Sequence, residues 1–230
     1  MTDITVQLRN VSKVYRQDAV AVQALTGIDL DIPRRDFVCL SGPSGSGKST
    51  LLNLIGGLDR PTTGAITVDG QRVDQLGKAE LARLRLTRIG FVFQAYNLIP
   101  VLTARENVEF VMQLQGVAAA QRSEKAYRIL KEVGLEGLED RRPGELSGGQ
   151  QQRVAVARAI VSEPSLVLAD EPTANLDSRT AETLMQLLVR MNTEHNVTFI
   201  FSTHDKLVMD FSRRLIKLHD GEIVEDVRRE

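Results

Sequence analysis

The 230-residue chain reads as an α/β protein built on a covered parallel sheet. Two observations carry that reading. Phe37–Leu40, Leu166–Ala169 and Val197–Phe201 are short runs apolar on both faces, as central strands flanked by helices must be. Stretches of helical periodicity alternate with strand-like runs along the chain, the signature of α/β architecture. The length, about 1.5 times a typical domain of ~150 residues, fits one large domain or one domain with a small lobe.

Taken in order, Ile4-Thr5-Val6-Gln7-Leu8 alternates with period two and predicts a strand. Phe37–Leu40 is the first core strand, and Ser49–Leu58 the helix after it. Ala65–Val68 is a strand running into Asp69-Gly70, a tight-turn dipeptide. Helical periodicity then covers Lys78–Thr87, Ala104–Gln115, Gln121–Glu132, Gly148–Val161 and Arg179–Glu194. Between residues 78 and 160 only Ile89–Phe93 forms a short apolar run. Part of this stretch therefore reads as a helical lobe inserted in the sheet domain, with ordinary covering helices as the alternative.

Composition removes several function classes. Lys and Arg total 29 and Asp and Glu 30, for a net charge of −1 with no long block of either sign. That argues against nucleic acid held by a general basic footprint. Absence of Trp and an aromatic content of 4% argue against a base-stacking platform. The single cysteine, Cys39, excludes a disulfide framework and a zinc site built on several thiolates. The longest charge-free stretch, Ile89–Ala104, is 16 residues, short of the ~20 that span a bilayer. The N-terminal MTDITVQLRN lacks the pattern of a signal peptide. A cytosolic protein is expected.

Three places carry chemistry. Gly42-Pro43-Ser44-Gly45-Ser46-Gly47-Lys48-Ser49 matches G-x-x-x-x-G-K-[ST] between a strand and a helix. Its glycines let backbone N–H groups face inward, and the next helix adds its positive dipole end. Lys48 can reach β- and γ-phosphates, and the Ser49 hydroxyl can bind Mg²⁺. Asp170-Glu171 ends the Leu166–Ala169 run, where ligands bind in open α/β sheets. Asp170 suits Mg²⁺, and Glu171 can orient or deprotonate an attacking water. Neighbours on a strand face opposite ways, which would separate the two roles. Third, Ser147 and Gln150 have capping-box spacing around Gly148-Gly149 at a helix start. That is a second anion-binding helix start or simply a well-capped helix.

Together these residues resemble the nucleotide-binding subunit of ABC transporters over almost the whole chain. Gly42–Ser49 looks like Walker A, Leu166–Asp170 like Walker B, and Leu146–Gln150, LSGGQ, like the signature. Gln94 is placed like the Q-loop glutamine, Ala174–Asp177 like the D-loop, His204 like the switch histidine, and Tyr15 like the adenine-stacking aromatic. The resemblance implies a P-loop NTPase core with a mainly parallel sheet, an N-terminal antiparallel β subdomain and an inserted α-helical subdomain. It divides a single domain, 1–230, into core and β subdomain (1–93 and 163–230) and a helical subdomain (about 94–162) carrying the signature.

The resemblance further implies ATP and Mg²⁺ as ligands. Tyr15, Gly42, Pro43, Ser44, Gly45, Ser46, Gly47, Lys48, Ser49 and Thr50 would bind the nucleotide of their own chain. Ser147, Gly148, Gly149 and Gln150 would meet the γ-phosphate held by a second copy, in a head-to-tail homodimer. Ser49, Gln94 and Asp170 would serve the metal, and Glu171, His204, Gln94 and Lys48 the hydrolysis. Asn175 and Asp177 would be dimer contacts, and an integral membrane permease would hold the subunit at the cytoplasmic face of the inner membrane. Phe91–Gln94, Leu98–Pro100, Leu102-Thr103, Glu106–Val108 and Leu168–Thr173 are similar to the lipoprotein-release and macrolide-export group. Ala174 stands where that group usually has glycine. Export or extraction is the implied direction, with an ATP-dependent regulator of a cell-wall partner as the alternative. Cys39 is expected in the core, and His195 and His219 at the surface.

Overall fold

Two long strands open the chain: β1 (Ile4–Gln17) runs antiparallel to β2 (Val20–Pro33). This is a computed structural model, and it describes residues 3–17 and 20–229. The alternation at Ile4–Leu8 marks only the start of β1. Register shifts around Val11 and Lys13 break the period-two pattern beyond it, as bulges do. No strand is predicted from the sequence at 20–33, although Ile28, Leu30 and Ile32 alternate with Asp29 and Asp31 and are buried; this alternation covers only the second half of β2. β3 (Phe37–Ser41), α1 (Lys48–Ile55), β4 (Thr63–Val68) and β5 (Gln71–Arg72) follow. The helix after β3 ends three residues earlier than periodicity indicates, at Gly56-Gly57. Asp69 and Gly70 both have positive φ, 48° and 78°, so the expected tight turn joins β4 to β5.

α2 (Lys78–Arg88) leads into β6 (Ile89–Phe93). Next come α3 (Ala104–Leu114), α4 (Ala119–Glu132) and α5 (Gly148–Ile160). β7 (Leu166–Asp170), α6 (Ser178–Glu194), β8 (Thr198–Thr203) and the short α7 (Lys206–Met209) precede β9 (Arg214–His219) and β10 (Glu222–Arg228). The last two strands are also unannounced by the sequence reading.

The strands form a four-stranded antiparallel sheet, β2-β1-β4-β5, and a six-stranded sheet, β10-β9-β3-β8-β7-β6. All neighbours in the larger sheet are parallel except the β10–β9 edge pair. Its strands send alternate residues to two cores. Val38, Leu40, Leu168 and Ile200 pack toward α1, α2 and the smaller sheet. Phe37, Cys39, Val167 and Phe199 pack toward α3–α6. Val108, Met112, Ile129 and Leu130 of α3 and α4 belong to this second core. The far end of α5 lies against β6 so closely that a Cβ on Gly90 would sit 2.3 Å from the Ala159 carbonyl oxygen. Residues 94–162 thus hold three helices that share a core with the sheet, and the end of α5 is a covering helix.

Candidate functional site

β3 is wholly buried and delivers the phosphate loop to the C-terminal edge of the large sheet. Gly42 and Gly47 have φ of 143° and 102°. A Cβ at Gly42 would stand 2.2 Å from the Leu218 carbonyl oxygen, and one at Gly47 would stand 2.7 Å from that of Ala24. Conformation and space both demand glycine there. Among the described residues no side chain caps the N-terminus of α1, so its first N–H groups stay available to an anion. Among the described residues the buried Ser46 hydroxyl has no hydrogen-bond partner. Such an orphan is uncommon unless a ligand is missing. The Lys48 ammonium donates to the carbonyls of Gly42 at 2.8 Å and Pro43 at 2.9 Å, folded back over the loop.

A cavity of about 570 Å³ opens at this loop. Ser44, Gly45, Gly47, Lys48, Ser49 and Thr50 line it from one side, and Gln94, Glu171 and His204 from the other. Residues from four separate places in the sequence are therefore assembled by the parallel sheet. Val22, Gln23 and Ala24 of β2 complete the wall; no motif marks them in the sequence, because Val22 and Gln23 are exposed and Ala24 is half-buried. Tyr15, paired with Val22 across the β1–β2 ladder, is not among the lining residues. Its hydroxyl donates to Asp59 at 2.8 Å, and burial followed by this bond raises its pKa.

The carboxylates sit at the end of β7. Asp170 Oδ1 accepts from the Ser49 hydroxyl at 3.1 Å and from the Ser202 hydroxyl at 2.5 Å. Strand alternation does not separate Asp170 from Glu171, because β7 stops at Asp170 and Glu171 turns into the left-handed region at φ 47°. The turn aims Glu171 at His204: its Oε1 lies 2.9 Å from His204 Nδ1. The Gln94 carbonyl accepts from the Asn175 amide at 2.9 Å, linking the loop after β6 to the turn after β7. Gln152, fully buried in α5, donates to the Pro172 carbonyl at 2.6 Å. A lone polar residue on a helix's apolar face was the only sequence signal for it.

Ser147 caps α5, its hydroxyl accepting from the Gln150 N–H while Gln150 Oε1 accepts from the Ser147 N–H. The expected capping box is present. The glycines after it also serve packing: a Cβ on Gly149 would stand 2.5 Å from the Thr180 methyl, and one on Gly148 would stand 2.9 Å from the Tyr96 hydroxyl. None of Ser147–Gln150 lines the phosphate-loop cavity. Asp177 caps α6 through Thr180. His195 departs from the expected surface position: it is half-buried, and its Nε2 lies 3.0 Å from Glu132 Oε2, tying the end of α6 to α4. His219 is exposed. Cys39 is fully buried, and burial pushes its thiol up to about 12.

A phosphate loop at a sheet edge, two carboxylates beside it and a second glycine-opened helix start define a nucleotide-hydrolysing cassette. The ABC transporter family profile matches residues 25–174, and the chain belongs to that family as an ATP-binding ABC ATPase. It is 46% identical over 222 residues to the uncharacterized ABC transporter ATP-binding protein MJ0796 of Methanocaldococcus jannaschii, over 95% of this chain and 94% of that protein. It is 47% identical over 219 residues to the uncharacterized ABC transporter ATP-binding protein YknY of Bacillus subtilis, over 95% of each. The macrolide export ATP-binding/permease protein MacB of Marinobacter nauticus is 46% identical over 221 residues, which are 96% of this chain but 34% of that protein. The dimeric post-hydrolysis structure of MJ0796 bound to ADP and Pi superposes with a TM-score of 0.90 at 44% identity, covering 97% of this chain and 98% of that one.

Proposed function

We propose that this chain is the motor of a transporter: two copies close head to tail around two Mg-ATP and drive an integral membrane permease of the export or extraction type. The observation that carries the dimer is the division of the site. Lys48, Ser49, Gln94, Glu171 and His204 share one cavity, while the capped N-terminus of α5 lies outside it. A second copy would bring its Ser147, Gly148 and Gly149 to the open side. ATP would then favour the closed dimer by differential contacts, and loss of the γ-phosphate would reopen it. On this reading residues 94–162 are the lobe that carries the signature.

Within the site each group has a task. The inward N–H groups of Gly42–Gly47 cradle the phosphates, and the Ser46 hydroxyl gains the partner it lacks. Lys48 exchanges two loop carbonyls for β- and γ-oxygens, a stronger charge-assisted contact. Mg²⁺ fits the donors present: one hydroxyl, Ser49, beside one carboxylate, Asp170, with no cluster of three His, Cys, Asp or Glu among the described residues. Such sparse oxygen ligation suits an ion that also binds substrate phosphates, where it neutralises charge. Gln94 faces the same space. Glu171 takes the proton of the attacking water, and His204, bonded to Glu171, holds it in place and can donate to a phosphate oxygen.

The permease reading draws on the MacB relatives, whose names join an ATP-binding part to a permease in one chain. Among the described residues no helix is long and apolar enough to cross a membrane, so the span would belong to a partner. A second cavity of about 570 Å³ has apolar walls from Leu58, Phe91, Phe93, Val111 and Leu114. Arg85 and Arg158 also line it, without any carboxylate. Arg85 donates to the Gly57 carbonyl, and Arg158 to those of Tyr96 and Asn97. Burial lowers the Arg158 pKa. The groove suits an amphipathic cytoplasmic segment of the permease that brings an acidic side chain to these two cations. Docking there would place the chain peripherally on the cytoplasmic face of the membrane.

The direct test is Glu171→Gln. It should bind ATP, hydrolyse it roughly 10²–10⁴-fold more slowly, and elute as a dimer only with ATP. Parental hydrolysis, or a monomer with ATP bound, overturns the reading.

A further inference from the structure

Ser202 of β8 follows the apolar run Val197–Phe201, where sequence alone gives it no role. Its side chain is wholly inaccessible to solvent. The parallel register places it opposite Asp170, and its hydroxyl bridges the two acidic residues. It accepts from the Glu171 N–H at 3.0 Å and donates to Asp170 Oδ1 at 2.5 Å. With the Ser49 hydroxyl also on Oδ1, this oxygen has two donors, and Oδ2 has none among the described residues. The two donors fix Oδ1 and leave Oδ2 as the carboxylate oxygen with no protein donor among the described residues. At the same time the N–H of Glu171 is satisfied while its backbone sits at φ 47°, a conformation costly to any residue with a side chain.

We propose that Ser202 is a positioning residue that couples the metal-side carboxylate of Asp170 to the backbone of Glu171, so that one buried hydroxyl sets the geometry of both. This rests on the reading of Asp170 as the residue serving Mg²⁺ and Glu171 as the base. Removing the hydroxyl frees the Asp170 carboxylate to rotate and takes the partner from the part-buried Glu171 N–H.

The test uses the full chain in the Glu171→Gln background, which retains ATP, with Mn²⁺ binding followed by electron paramagnetic resonance. Ser202→Ala is expected to weaken Mn²⁺ binding to the ATP complex about tenfold, the scale of a hydrogen bond to a charged group. Ser202→Thr should restore it. Ser202→Val, matching threonine in size but lacking the hydroxyl, should behave like Ser202→Ala. ATP affinity in EDTA should be the same throughout, and with Glu171 restored Ser202→Ala should lower kcat about tenfold at an unchanged KM for ATP. Parental Mn²⁺ affinity in Ser202→Ala, or identical behaviour of the Thr and Val variants, overturns the inference. If the Ser202 parent shows no ATP-dependent Mn²⁺ binding and Asp170→Asn changes nothing, the metal reading of Asp170 falls and this inference falls with it.

Discussion

His204 Nδ1 lies 2.9 Å from Glu171 Oε1, joining the residue after β8 to the residue after β7 at the C-terminal edge of the sheet. The Glu171 side chain is largely shielded, whereas that of His204 is 70% exposed, so on the proposed mechanism the histidine would be the part that meets a phosphate. His204→Ala should cut steady-state hydrolysis by about 10² or more while ATP affinity, measured by calorimetry, stays near parental. Full activity in His204→Ala would remove it from the mechanism.

Gly149 separates packing from phosphate binding. A methyl group there meets the Thr180 methyl at 2.5 Å, and Thr180 is itself held by Asp177. Gly149→Ala should lower the thermal midpoint by several degrees, on the scale of about 1–3 kcal/mol of overpacking. Thr180→Ser removes only the offending methyl and should return most of that loss. If the paired variant regains stability but not the ATP-dependent dimer, Gly149 also contacts nucleotide. Full recovery of both would leave it a packing residue alone.

Leu114→Asp places an unpaired carboxylate in the apolar groove. In the isolated chain ATPase activity should hold within about twofold, since Leu114 is 59% exposed and does not line the cavity of Lys48 and Glu171. With the permease present, complex formation and transport should both fall. Arg85→Gln should weaken the complex without changing the isolated ATPase, through loss of charge pairing. Unchanged assembly in both variants would move the docking site elsewhere.

Acid should destabilise the fold through its caps and turns. The Thr180 hydroxyl and N–H hold the Asp177 carboxyl below the usual range, and the Arg72 guanidinium does the same for Asp74. A carboxyl with a lower pKa in the folded state stabilises above its unfolded value of about 3.9 and loses that contribution as pH falls through its folded value. Thermal midpoints should therefore be flat down to about pH 5 and decline below it. Asp74→Asn and Asp177→Asn should each make the decline shallower.

Cys39, with its thiol pushed up to about 12 by burial, should resist alkylation at neutral pH in the native protein, because the thiolate is the reactive form. Modification should track global unfolding in denaturant. Rapid labelling of the folded chain would contradict its place between Phe37 and the helices.

Local chemistry was legible directly from the residues. The phosphate loop, the carboxylate pair, the Ser147–Gln150 cap and the Asp69-Gly70 turn each depend on neighbours a few positions apart, so their spacing carries the information. The central strands were legible too, because burial on both faces leaves an unbroken apolar run. β2 was legible only in its second half, where Ile28, Leu30 and Ile32 alternate with Asp29 and Asp31, and β10 escaped because its side chains are mostly exposed.

What only the tertiary structure decided is which distant groups meet. Parallel register sets Ser202 opposite Asp170, the left-handed turn at Glu171 brings His204 within reach, and β2 supplies a wall of the cavity. The first two span 32 and 33 positions of sequence, and no periodicity encodes any of the three. They follow from strand order and register, which the packing of two cores against one sheet selects. The same packing leaves Ser147–Gln150 outside the cavity of Lys48 and Glu171, so the sequence by itself determined two glycine-bearing helix starts and the fold decided that they do not share a cavity within one copy.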